Sequence, residues 1–135
     1  MPRRPQFRPV QFRLPAASHR AIIDDVVEGV KAIAQLRTRG DMVVDSTGLI
    51  HGGFTFGLAD YAAMLVVNHP YVVLGSANVK FTAPVNVGET MIAEAKVTTV
   101  DGKKIEVNVE VKVEERRVLM GLFTCYTLDK HVLNK

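Results

Sequence analysis

Residues 53–68 restrict the fold more than any other part of the chain, because they are apolar at almost every position. A residue that precedes proline is pushed out of the helical region, so a helix that begins near Gly52 must end before Pro70. A helix that is apolar on all of its faces has to be buried by a large structure. We therefore predict a long helix that the rest of the chain encloses.

The second half of the chain predicts the structure that encloses this helix. From Ile105 to Val113 every second residue is Ile or Val, which is the period of a strand with one buried face. Strands joined by short turns such as Asp101-Gly102 form an antiparallel sheet, so we expect the sheet to curl around the helix. The predicted strands are residues 71–83, residues 90–100, residues 105–113 and a last strand that follows the turn at 115–117 and reaches about Leu128.

The first part of the chain predicts a second helix. Ser18 is a suitable cap for a helix that runs to about Arg37, since Ile and Val recur between them at three- and four-residue spacing. Gly40 ends this helix, residues 42–44 form a short strand and residues 45–48 form a turn. The predicted fold class is α+β, with an antiparallel sheet wrapped around a long central helix and an extra N-terminal helix.

Length and composition favour a single domain. A chain of 135 residues with 47% hydrophobic residues is able to build one core. We expect a basic arm over residues 1–15 and one domain over residues 16–135. The longest mainly apolar run, residues 54–67, is shorter than the roughly 20 residues that a membrane span needs. The N-terminus lacks the apolar core of a secretory signal, so the expected location is cytoplasmic.

The N-terminal arm holds most of the excess positive charge. Residues 1–20 contain five arginines and no acidic residue, whereas the rest of the chain is slightly acidic. Such an arm is either a solvated tail or a contact for nucleic acid or an acidic partner. Neither an aromatic-rich strand nor a basic recognition helix accompanies it, so nucleic acid is not an expected partner, and because the sequence shows no membrane span, a membrane is not expected either.

Chemistry is concentrated in the stretch HGGFTFGLADYAAML, residues 51–65. The first backbone N–H groups of a helix lack intrahelical partners, so Gly52 and Gly53 offer donors to a carbonyl oxygen that becomes an oxyanion during acyl transfer. The alternative is a glycine pair used only for a tight turn. Asp60 is costly to bury among apolar neighbours without a partner or a purpose, and burial raises a carboxyl pKa and makes it a better base near neutral pH.

The spacing of these groups predicts a subunit interface. Asp60 lies eight residues beyond Gly52, which is about 12 Å along a helix axis. One helix cannot bring both groups to one carbonyl. An antiparallel copy of the helix from a second subunit would place the glycine end of one chain beside the aspartate of the other, with two equivalent sites in a dimer.

Several short motifs carry a resemblance to a known family. The sequence GLIHGG at 48–53 is followed by LAD at 58–60, VKFTAP at 79–84 and Gly88-Glu89. This arrangement resembles the hotdog-fold acyl-CoA thioesterases of the phenylacetate-pathway type. The resemblance implies a sheet around a central helix, sheets joined between two subunits, and either a homodimer or a homotetramer made of two such dimers.

The resemblance also implies roles for residues of the site. Gly52 or Gly53 supplies oxyanion N–H groups, and Asp60 of the partner chain activates water or attacks the thioester. Many members of the family have asparagine at the position of Asp45, so the role of that residue in supporting the glycine turn or positioning water stays open. Coenzyme A enters as part of the substrate, and no other cofactor is expected.

Two other functions compete with hydrolysis. The segment SANVKF at 76–81 and the strand GLFTCY at 121–126 are similar to the hotdog effector domain of malonyl-CoA-sensing lipid regulators, which bind acyl-CoA without cleaving it. The chain is too short to add their DNA-binding domain. A hotdog dehydratase would need a histidine and an acid acting together, and only His51 is near.

The remaining candidates are weaker. His51 is a candidate to contact the substrate carbonyl or Asp45, and Phe54, Tyr61 and Met64 are candidates to line an acyl pocket, although a structural role explains each as well. Histidine and cysteine spacing indicates no metal site. Cys125, the only cysteine, is interpreted as a buried apolar residue. The phosphates of coenzyme A need cationic partners. The candidates for this role are Lys80, Lys103, Lys104, Arg116 and Arg117.

Overall fold

A computed structural model describes residues 21–134. One six-stranded antiparallel sheet, in the spatial order β1-β2-β4-β5-β6-β3, encloses one long helix, α1. This confirms the predicted sheet around a central helix. The elements are β1 Ile22–Val27, β2 Lys31–Arg37, a 3-10 turn Gly40–Met42, α1 Gly52–Val67, β3 Val72–Phe81, β4 Thr90–Asp101, β5 Lys104–Val113 and β6 Arg116–Thr127.

The predicted N-terminal helix is wrong over the residues that the structure describes. Strands β1 and β2 form a hairpin there, with Gly29 in the turn at a φ of 76°, and β2 pairs with β4. Ala32, Ala34 and Leu36 are buried at a spacing of two residues, which is the period of a strand. Apolar residues are frequent enough here to satisfy helical spacing as well. The predicted cap, Ser18, and the basic arm over residues 1–15 lie outside the described residues.

The predicted short strand at residues 42–44 is also wrong. Met42 ends the 3-10 turn, and Val43 forms only an isolated bridge with Ile50. The N–H of His51 donates to the carbonyl of Met42 at 2.9 Å, and the N–H of Ile50 donates to Val85 at 2.8 Å. These bonds fix the approach of the chain to the start of α1.

Helix α1 forms the centre of the core, as its composition predicts. Eight of its sixteen residues are buried, including Leu58, Leu65 and Val66, which are fully buried. The helix ends at Asn68, which adopts a left-handed conformation with a φ of 46° and donates its N–H to the Met64 carbonyl at 2.8 Å. At 16 residues, α1 is too short to cross a membrane, and no other helix in residues 21–134 meets that requirement.

The two edges of the sheet differ in how open they are to pairing. Strand β1 has six residues and carries Asp24 and Asp25, whereas β3 has ten residues and carries one charge, at Lys80. Among the elements of residues 21–134, β3 is hydrogen-bonded only to β6, so its other side offers backbone groups that these residues leave unpaired. A long edge with little charge is suited to pairing with a strand from another chain.

Gly75 creates a bulge in β3 beneath an aromatic ring. The register with β6 shifts between Leu74 and Ser76, and a Cβ added at Gly75 would overlap Cε2 and Cδ2 of Tyr126. Any larger residue at this position therefore displaces the tyrosine ring.

Substitution of this glycine tests the contact. We expect Gly75→Ala to lower the free energy of unfolding by about 1–3 kcal/mol, since the added methyl group overpacks the site. Chemical denaturation of Gly75→Ala, Tyr126→Ala and the double variant measures the coupling. The double variant should be more stable than the sum of the two single effects predicts, and simple additivity would contradict the contact.

Candidate functional site

The helix N-terminus presents one free donor rather than two. His51 is the N-cap of α1, and its Nδ1 accepts the N–H of Gly53 at 2.8 Å. The His51 carbonyl accepts the N–H of Phe54 at 3.0 Å. Within residues 21–134 the N–H of Gly52 has no hydrogen-bond partner, so this group is the donor that α1 offers to a ligand.

His51 therefore has a structural contact in this chain. Because its Nδ1 accepts a hydrogen bond, that nitrogen is unprotonated. A Cβ at Gly53 would lie only 2.9 Å from the same nitrogen, which explains why residue 53 is a glycine. The histidine ring also contacts Phe54 edge-on, with ring centroids 6.4 Å apart. No hydrogen bond joins His51 to Asp45 in the structure.

Asp60 lies in the middle of α1, eight residues beyond Gly52, at a separation of about 12 Å along the axis. The side chain is half-buried, and its Oδ1 is fully buried without a hydrogen-bond partner among the described residues. Burial raises the pKa of the Asp60 carboxyl above its ordinary value. The unbroken helix keeps Asp60 away from the Gly52 of its own chain.

Cys125 lies near Asp60 on the neighbouring strand β6. It is fully buried, and burial, followed by the charge of Asp60, raises the pKa of the thiol to about 12. The thiol is therefore un-ionised at neutral pH and is not a nucleophile. This agrees with the interpretation of Cys125 as a buried apolar residue.

Asp45 uses its carboxylate within the turn that precedes the site. The Oδ1 accepts the hydroxyl of Thr47 at 2.5 Å and the N–H of Thr47 at 2.9 Å. These bonds, with the hydroxyl contributing most, lower the pKa of Asp45. Asp45 is exposed, so it is ionised at neutral pH and stabilises the turn that leads to His51.

The three predicted pocket residues pack into the core to different extents. Met64 is only 8% exposed and belongs to the core. Phe54 and Tyr61 are half-buried and pack against that core, and burial raises the pKa of the Tyr61 hydroxyl. These contacts account for all three residues without a ligand.

A groove that the sequence did not predict lies beside Gly52. It has a volume of about 380 Å³ and is formed by the start of α1 and by the chain that follows β3. The groove forms where two segments that are distant in the sequence meet. The VKFTAP motif at 79–84 covers only one of these segments. The lining residues are Ile50, Gly52, Thr55, Phe81, Thr82, Ala83, Pro84 and Val85.

Most of the candidate cations for coenzyme A phosphates are already paired. Lys103 contacts Asp129 at 2.6 Å and Arg116 contacts Glu89 at 2.7 Å. Lys104 and Arg117 pair with Glu106 and Glu110. Lys80 forms no ion pair with any residue of the range 21–134. No group of three or more metal-ligating side chains occurs in that range either.

Comparison with known families decides the classification. The model of the thioesterase superfamily matches residues 47–120, which is more than half of the chain and includes α1 with Gly52 and Asp60. The chain belongs to the thioesterase superfamily. For this superfamily member, the sheet wrapped around α1 is the hotdog fold that the sequence motifs implied.

Solved structures support this assignment. An uncharacterized protein from Pyrococcus horikoshii is 49% identical, with a TM-score of 0.88 over 95% of this chain and 98% of that one. A mutant of the phenylacetic acid degradation protein PaaI from Thermus thermophilus is 26% identical, with a TM-score of 0.75 over 82% of this chain and 96% of that one. This superfamily member therefore shares its fold with PaaI.

Curated relatives are longer proteins. Methylthioribose-1-phosphate isomerase of Aquifex aeolicus is 49% identical over 77% of this chain, but the match covers 23% of that protein. Transcription factor FapR of Caldanaerobacter subterraneus is 32% identical over 82% of this chain and 56% of the regulator. The chain thus spans between about a quarter and just over half of these relatives.

The buried carboxyl of Asp60 is expected to cost stability. We expect Asp60→Asn to raise the free energy of unfolding at pH 7 by about 1 kcal/mol, because the substitution removes a half-buried charge. A raised pKa in the folded state means that the penalty is present above that pKa and disappears as pH falls towards the ordinary value of about 3.9. Thermal denaturation between pH 4 and pH 7 measures the difference.

The exposed Asp101→Asn is a matched control for this measurement, since Asp101 lies at the end of β4. Its stability should follow that of the unmodified protein at both ends of the pH range. A lower stability of Asp60→Asn at pH 7 would show that the carboxylate is stabilised in the folded protein.

Proposed function

We propose that the protein is an acyl-CoA thioesterase. The observation that carries this proposal is the buried Oδ1 of Asp60, on the same helix whose N-terminus presents the N–H of Gly52, with neither group hydrogen-bonded to any residue of the range 21–134. A carboxylate with a raised pKa and an oxyanion donor are the two groups that thioester hydrolysis requires. Membership of the thioesterase superfamily and the likeness to PaaI support the same reaction.

Under this proposal, the Asp60 carboxylate and the N–H group of Gly52 meet in a homodimer. The ten-residue edge of β3 pairs with its copy in a second chain, antiparallel about a two-fold axis. Such pairing lays the two copies of α1 side by side in opposite directions. Gly52 of one subunit then faces Asp60 of the other, and two equivalent sites result. Pairing of these dimers into tetramers remains part of the family expectation.

The proposed reaction follows from the chemistry of these groups. The N–H of Gly52 donates to the thioester oxygen and stabilises the negative charge that develops on it. The Asp60 carboxylate of the partner subunit takes a proton from water as the water oxygen bonds to the carbonyl carbon. The C–S bond then breaks, and the thiolate of coenzyme A takes the proton back from Asp60. Direct attack by Asp60 would instead break the C–S bond, expel the thiolate of coenzyme A and form an acyl-enzyme anhydride, which water then cleaves.

Binding of acyl-CoA without hydrolysis is the second candidate function. The likeness to transcription factor FapR over 82% of this chain favours it. A binding domain would use the same helix N-terminus to hold the thioester but would not depend on the carboxylate of Asp60.

Thiol release from a panel of acyl-CoA substrates tests the proposal. Purified protein should release coenzyme A from at least one substrate at a rate that depends on Asp60. Tight binding of acyl-CoA with no release above the spontaneous rate would instead favour the binding function.

A further inference from the structure

Phe81 is a large apolar residue that stays 56% exposed although it lies beside the free donor of α1. It is the last residue of β3, and its ring closes one side of the 380 Å³ groove that contains Gly52. The Cε1 of Phe81 lies 3.4 Å, and its Cδ1 and Cζ 3.8 Å, from where a Cβ on Gly52 would be. The ring therefore packs directly over Gly52 at van der Waals distance.

The groove offers little to a polar ligand. Among residues 21–134 its lining includes no charged side chain, and the two hydroxyl groups there are already used within the protein. Thr55 donates to Sδ of Met91 at 3.3 Å, and Thr82 donates to the carbonyl of Arg117 at 2.7 Å. The amide-rich arm of coenzyme A would lose hydrogen bonds with water here and gain few in return. An apolar group has no hydrogen bonds with water to lose.

The size of the groove fits a small apolar group. Its volume of about 380 Å³ is near the lower end of the range of about 300–1,000 Å³ for small-molecule sites. An apolar ligand in the groove would cover the exposed ring of Phe81 and gain the free energy of removing that surface from water.

We propose that the groove between residues 50–55 and 81–85 binds the acyl group of the substrate, and that the ring of Phe81 is the apolar contact of this group beside Gly52. The inference rests on the proposed function for the thioester contact, but it concerns binding and does not require that the thioester be cleaved. It assigns the acyl group to this groove rather than to Phe54, Tyr61 and Met64.

Binding to non-hydrolysing protein tests this assignment. In the Asp60→Asn protein, we expect Phe81→Ala to weaken the binding of hexanoyl-CoA by about tenfold, since an apolar contact at the acyl group is lost. The binding of free coenzyme A should change by less than about twofold, because the groove holds only the acyl group. Isothermal titration calorimetry measures both affinities.

Val100→Ala in the same Asp60→Asn protein is the matched control. Val100 is an exposed apolar residue on β4, and β5 and β6 separate it from the edge strand β3. It should change neither affinity. A cooperative thermal transition in each variant shows that the protein is folded.

The outcomes separate this inference from the proposed hydrolysis. Equal weakening of hexanoyl-CoA and free coenzyme A by Phe81→Ala would overturn the inference, and so would no change in either. If unmodified protein does not hydrolyse acyl-CoA but Phe81→Ala selectively weakens hexanoyl-CoA, the hydrolytic function fails and the acyl site stands. No binding of hexanoyl-CoA by the Asp60→Asn protein would also overturn the inference.

Discussion

Asp60→Asn is expected to lower kcat for acyl-CoA hydrolysis by about 100-fold to 10,000-fold, because an amide cannot take the proton from water. Asparagine has nearly the same shape, so the affinity for acyl-CoA should be retained. Steady-state release of coenzyme A, together with a binding measurement on the variant, separates these two effects. Hydrolysis within a few-fold of the unmodified protein would show that Asp60 is neither the base nor the nucleophile.

The pH dependence of the rate gives an independent check of the same residue. The carboxylate acts in its ionised form, so kcat/KM should fall as pH decreases through the raised pKa of Asp60. The fall should begin at a higher pH than the ordinary aspartate value of about 3.9 would give. Any residual activity of Asp60→Asn should lack this fall. Asp101→Asn, which alters an exposed carboxylate, should retain both the rate and the pH profile.

The central helix and the four strands after it could be predicted from the sequence because each pattern has one solution. Alternation from Ile105 to Val113 satisfies only a strand, and α1 is too apolar to lie on a surface. The hairpin of β1 and β2 could not be predicted in this way. Its apolar residues satisfy helical and strand spacing alike, and pairing of β2 with β4, distant in sequence, decides between them.

The part of the site that lies on α1 could be predicted, because it follows from the burial of a single helix. Asp60 stands out as an acid among apolar neighbours, and the structure places its Oδ1 in a buried position. The difference between Gly52 and Gly53 was not predictable, since it depends on how the His51 ring is turned. The groove was not predictable either, because no local pattern shows that Phe81 packs on Gly52, 29 residues earlier in the chain.

The donor at Gly52 can be removed without disturbing the helix. Proline is favoured at the first position of a helix and lacks the N–H group. His51, with a φ of −64° and a ψ of 131°, already has the extended conformation that proline requires of the preceding residue. Gly52→Pro should therefore fold and lose about 100-fold to 1,000-fold in kcat. Gly52→Ala keeps the N–H and adds a methyl group beside Phe81, so its loss should be far smaller.

Mixed dimers test whether the site is shared between subunits. If Gly52 of one chain acts with Asp60 of the other, a dimer of one Gly52→Pro chain and one Asp60→Asn chain has one site with both defects and one intact site. Such a dimer should recover about half of the activity of the unmodified dimer, although each variant alone is nearly inactive. Co-expression with two different affinity tags isolates the mixed species for assay.

The opposite arrangement gives a different result. If both groups of a site came from one chain, each site of the mixed dimer would carry one defect and the activity would stay as low as in the two parent variants. The required separation of about 12 Å along one straight helix already opposes that arrangement. Hydrolytic activity should recover in the mixed dimer, whereas each purified variant assayed alone should stay nearly inactive. This result would show that residues of both subunits form the site.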